Sequence, residues 1–158
     1  MDEILRLLLV QLRSMQLYYH NAHNLTKGKT FFSDHAAFNE FYSELDGQYD
    51  SVAERAVGLY NEPLDLSIIL PAINMNLQIV LKDYKSTQDM HKGGVLLEDE
   101  LLKICSLVEV NPRATDGTKN LVADIADKAE TRLYKLNQRL KEDSPLVSPL
   151  LGGLTHAS

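Results

Sequence analysis

The 158-residue sequence has no tryptophan, a single cysteine and no long apolar run. Each shortage excludes something. One cysteine, Cys105, cannot form a disulfide within the chain, and its neighbours in "LLKICSLV" mark it as a core residue. A reducing, cytoplasmic setting follows from that usage. No stretch nears the about 18 consecutive apolar residues of a membrane-crossing helix. The start "MDEILRLLLVQLR" makes a poor export signal, because Asp2 and Glu3 stand where a basic segment would be and the apolar run at 7–10 is short. Positive charge is scarce too: 16 Lys and Arg face 22 Asp and Glu, for a net charge of −6. No basic tail is segregated from this acidic average, so direct binding to DNA is not expected. Repeats and hairpin signals are also missing.

What remains is a helical chain with enough apolar content, 44%, for one core. Leu5, Leu8, Leu12, Met15, Tyr19 and Ala22 recur at alternating three- and four-residue spacing, the stripe of a first helix ending near Leu25. "TKGKT" breaks it. A second helix is expected from Ser33, as N-cap, to about Leu59, with Phe38, Phe41, Leu45, Val52, Ala56 and Leu59 on one face. Pro63 then stops it. "LDLSIIL" reads as a short helix in a long crossover, halted by Pro71. A third helix is clearest over 95–109, its start left open between 76 and 95 because Gly93 and Gly94 weaken that end. The fourth runs from Thr115 or Asp116 to Lys141. Two short loops and one long connection describe an all-α, four-helix bundle with a crossover. The bundle should occupy residues 1–144, followed by an irregular tail over 145–158 whose apolar "PLVSPLLGGL" would be tucked into an interface.

Polar residues of the second helix carry the chemistry. At 100° per residue, His35, Asn39, Asp50 and Glu54 lie at roughly 0°, 40°, 60° and 100° around the axis. They share a face, yet His35 and Asp50 are ~22 Å apart along it, far beyond metal–ligand bonds of about 2.0–2.6 Å. One chain cannot close a metal site from all four. Two copies can, if their second helices pack antiparallel about a two-fold axis and so make two equivalent sites. His23, across the short loop, can join His35. Two imidazoles, an amide and two carboxylates suit iron or zinc. The Glu-x-x-His of iron proteins that build the centre inside one subunit is absent. Of the other histidines, His20 reads as a neighbour of the site, and His91 and His156 as solvent-facing. Asp50 and Glu54, like charges one turn apart, call for a cation or a basic partner such as Arg55.

The spacing His23-x11-His35-x3-Asn39-x10-Asp50-x3-Glu54, with "FF" before the second histidine and "AER" at 53–55, resembles the Dps mini-ferritins. The likeness covers 20–60 closely and extends loosely to "TDGTKNL" and "RLYKL". It implies a ferritin-like four-helix subunit with a short helix in the crossover, assembled as a dodecamer of two-fold dimers. It also implies Fe(II) oxidation by peroxide or oxygen between subunits and ferric iron stored in the hollow cage. His23, His35 and position 39 would come from one subunit, Asp50 and Glu54 from its mate. Two positions depart from the family. Asn39 stands where the family has Asp, and Asn24 where it often has Trp. Tyr18, Tyr19 and Tyr42 are candidate substitutes for that aromatic. The alternatives to an active ferroxidase are a degenerate cage with a structural or partner-binding role, and a free-standing helical bundle.

Overall fold

The computed structural model describes residues 3–61 and 64–141, which form five helices: α1 (Glu3–Leu25), α2 (Phe31–Tyr60), α3 (Leu66–Leu81), α4 (Thr87–Glu109) and α5 (Asp116–Leu140). Among the described residues there is no strand. The expected tail over 145–158, with His156, and the helix-stopping Pro63 lie outside them.

Contacts between helices fix their directions. Gln11 bonds the Leu97 carbonyl and Tyr18 that of Met90, so α1 and α4 run antiparallel. Asp34 meets Arg139, and Glu40 meets Lys135, so α2 and α5 do the same. The five-residue link 26–30 turns α1 back into α2. Helices α2 and α4 are therefore parallel, and only a long crossover can join them. The crossover holds α3, which packs Ile69 and Ile73 on Val10 of α1.

All six stripe residues of α1 are buried, as are Phe38, Phe41, Leu45, Val52 and Ala56 of α2. Leu59 is 45% exposed, at the rim of a small cavity that it lines with Ile4, Leu5 and Val108. Burial of one such stripe per helix is the main force holding the bundle together, at about 25 cal/mol per Å² of apolar surface. The turn before α2 needs Gly28, whose φ of +86° lies in the left-handed region.

Two expectations are corrected, and the start of the third bundle helix, open between 76 and 95 in the sequence, falls within that range. Helix α2 begins at Phe31, with Thr30 at the cap and Ser33 inside the first turn. Pro71 does not stop α3, which runs on to Leu81. Its start is held by Asp65, which accepts from the Ser67 backbone at 3.0 Å. Helix α4 begins at Thr87, well before the glycines, behind a reciprocal cap: Ser86 accepts from the Asp89 N–H at 3.1 Å, and Asp89 accepts from the Lys85 N–H at 3.2 Å. Gly93 and Gly94 are helix interior. They are there for closeness, since a Cβ on Gly93 would overlap the Tyr18 hydroxyl, and one on Gly94 would lie 3.0 Å from that of Tyr19.

Candidate metal centre

His23 on the last turn of α1 and His35 on the first turns of α2 face each other across the Gly28 turn. Their rings stack at 3.6 Å between centroids, 25° apart in plane. Each Nδ1 lies 2.9 Å from the other residue's backbone carbonyl. A carbonyl oxygen only accepts, so each Nδ1 carries a hydrogen, and Nε2 is the ring nitrogen left to bind a metal. A bond from Nδ1 to a carbonyl is what orients an imidazole whose other nitrogen binds metal. Nearly parallel rings aim the two Nε2 atoms along separate lines. One ion lying in both ring planes would require a ring to rotate.

Other aromatics wall the pair. Phe31 stacks on His35 at 4.9 Å, and Tyr42 meets His23 edge-on at 5.4 Å and stacks on His20 at 4.3 Å. The Tyr42 hydroxyl donates to Asn39 Oδ1 at 2.9 Å, which leaves that amide oxygen one further lone pair. Of the three tyrosines near the motif in sequence, only Tyr42 touches the histidines. Tyr18 and Tyr19 are core residues, 1% and 0% exposed. Asn24 is turned to the His20 carbonyl.

Asp50 and Glu54 are exposed and lie far down α2 from His35. Among the described residues, no three His, Cys, Asp or Glu side chains gather into a metal-binding group within one subunit. The chain thus brings His23, His35 and Asn39 together and leaves the acids at the other end of the same helix. Arg55 does not serve them, since its guanidinium lies over Gly117 at the start of α5. Glu40 pairs with Lys135 at 2.7 Å and takes no part.

His91 is not solvent-facing. It is 3% exposed, with Nδ1 2.7 Å from the Thr87 carbonyl and Nε2 3.4 Å from Asp34 Oδ1. Burial holds its pKa below the ordinary histidine value. Asp34 also takes two bonds from Arg139, which ties the start of α2 to the end of α5 beside the histidine pair. Cys105 is buried as expected, and burial pushes its thiol up to about 11.

No protein-family profile matches the chain. General stress protein 20U of Bacillus subtilis is 40% identical over 99 residues, covering 55% of this chain and 68% of that protein. A Dps protein structure from Vibrio cholerae, described as a member of a broad superfamily of ferritin-like diiron-carboxylate proteins, superposes with a TM-score of 0.66. It is 27% identical and shares 87% of either chain. The chain belongs to the Dps family. Dps from Thermosynechococcus elongatus, 23% identical, has the same fold, with a TM-score of 0.76 over 93% of this chain and 96% of that one. The nutrient stress-induced DNA-binding protein of a Nostoc species is 26% identical over 151 residues, covering 90% of this chain and 78% of that protein. The ferritin-like bundle with a helix in its crossover is thus the Dps subunit fold, and no described helix is long and apolar enough to cross a membrane.

Proposed function

We propose that two copies of this chain share ferroxidase sites, each built from His23, His35 and Asn39 of one subunit and Asp50 and Glu54 of the other. Fe(II) is the substrate. Each peroxide takes one electron from each of two Fe(II) ions, and ferric iron is stored inside a dodecameric cage, which limits peroxide damage. The observation that carries this reading is the histidine pair. Both Nδ1 atoms are spent on carbonyls, so both Nε2 atoms are left as ligands, and His35 shares its face of α2 with two carboxylates that have no partner among the described residues of their own subunit. The donor set accepts iron, with zinc as an alternative occupant.

The test is Fe(II) with peroxide, followed by ferric absorbance. Oxidation well above that of a His23→Ala/His35→Ala variant is expected. Equal rates would sink the proposal, as would a monomer in sedimentation.

A second reading is a degenerate cage with a weakened site. The Tyr42 hydroxyl on Asn39 favours it, because the amide is neutral and already partly occupied. A large gain in oxidation rate on Asn39→Asp would select it. The Nostoc relative is named for DNA binding. The net charge of −6 supports no direct DNA binding by this chain, and a mobility-shift assay at low salt tests that.

A further inference from the structure

A second polar centre lies inside the bundle, away from the histidines. Each packed helix contributes one member: Tyr19 from α1, Glu44 from α2, Glu98 from α4 and Arg132 from α5. Glu98 and Arg132 are 0% and 1% exposed. Arg132 Nε and Nη2 donate to the two oxygens of Glu98 at 2.7 and 3.0 Å, and its Nη1 donates to Glu44. The Tyr19 hydroxyl donates to Glu98 at 2.8 Å. One turn past Glu44 stands Gln48, 6% exposed, whose amide oxygen and nitrogen both lack a partner among the described residues. A buried amide with nothing to bond is costly.

Facing side chains at the centre of a four-helix bundle are where ferritin-like proteins hold metal when the centre belongs to one subunit. Here two carboxylates and a tyrosine converge in that place, and the cation between them is a guanidinium. We infer that Arg132 plugs a bundle-centre metal site, so that divalent ions are kept out of the subunit core and left to the site between subunits. The positive charge of Arg132 is permanent. It repels a divalent cation and occupies both oxygens of Glu98 and one of Glu44. Without it, Glu44 and Glu98 would face each other across the width of one guanidinium, a gap that an ion with its own waters fills, and the orphan Gln48 oxygen stands one turn away as a further donor. Glu44, 32% exposed, gives the way in. This inference does not depend on whether the interface site oxidises iron.

The experiment compares the native protein, Arg132→Ala and Arg132→Ala/Glu98→Gln, with Co(II) as the probe. Arg132→Ala is expected to bind one more Co(II) per subunit than the native protein, with added d–d absorption and a raised melting temperature. The double variant should return to the native stoichiometry. No extra ion in Arg132→Ala, or an extra ion that survives Glu98→Gln, overturns the inference. Should Arg132→Ala not fold alone, refolding it with Co(II) decides: recovery of helix that is lost again in the double variant supports the plug, and no recovery overturns it.

Discussion

His23 and His35 hold each other in place by the same bond made twice, each Nδ1 donating to the other's backbone carbonyl at 2.9 Å. The turn between α1 and α2 is thereby latched by the two residues proposed to bind metal. Structure and ligand orientation cannot be separated here, and a substitution at either position acts on both.

That coupling is measurable without metal. In urea unfolding of the apo protein, His23→Ala and His35→Ala should each cost about 1 kcal/mol for the bond to a backbone carbonyl that each removes, and the non-additive part of the double-mutant cycle, about 0.5–1.5 kcal/mol, reads the ring stacking that needs both side chains. Purely additive losses would mean that the stacked pair does not form in solution.

Asn39→Asp should tighten divalent-metal binding by about tenfold or more, since an ionised donor replaces a neutral one and ~1.4 kcal/mol is a factor of ten. Calorimetric titration with Zn(II) checks it. An unchanged affinity would show that position 39 does not reach the ion.

Gly93→Ala should destabilise the subunit by about 1–3 kcal/mol, the range for overpacking, although alanine is the better helix former. The new methyl group must displace the Tyr18 hydroxyl, which bonds the Met90 carbonyl. Adding Tyr18→Phe removes the overlapping oxygen and should recover part of the loss in thermal melts.

His91 gives stability a pH dependence of known sign. Burial lowers its pKa in the folded chain. Between the unfolded value of about 6.5 and that lower value, the unfolded chain takes up a proton that the folded one refuses. Its contribution is present above pH 6.5 and is lost as pH falls, at up to ~1.4 kcal/mol per pH unit. His91→Gln should flatten this slope in urea unfolding between pH 7.5 and 5.5. An equal slope in the variant would assign the effect elsewhere.

The helices that were easiest to read are those with one apolar face. The stripes of α1 and α2 contrast with polar neighbours, and burial follows their spacing at every position but Leu59. Helix α3 lacks that contrast, because Ile68, Met75 and Ile79 are exposed while Ile69 and Ile73 are buried. An apolar surface all round has no period to find, and Pro71 then seems decisive when it is not. The start of α4 was written in the chain, since Ser86 and Asp89 are three apart as a reciprocal cap requires. The glycines that obscured it answer to tyrosines on another helix, beyond any local window. The burial of His91 is hidden for the same reason, as Asp34, which it faces, and the nearby charge of Arg139 belong to α2 and α5. The five-residue spacing of the candidate site was legible because a helix converts sequence separation directly into angle and height. The Tyr42–Asn39 bond was not, because spacing brings the two side chains near without choosing their rotamers.

Tyr18 over Gly93 and Tyr19 over Gly94 form two adjacent locks between α1 and α4. In relatives that keep this packing, a side chain larger than hydrogen at 93 or 94 should come with a smaller or differently placed residue at 18 or 19. Each pair should thus drift through evolution as one unit, and a sliding of α1 along α4 by a single residue would set one of the two tyrosines against a side chain.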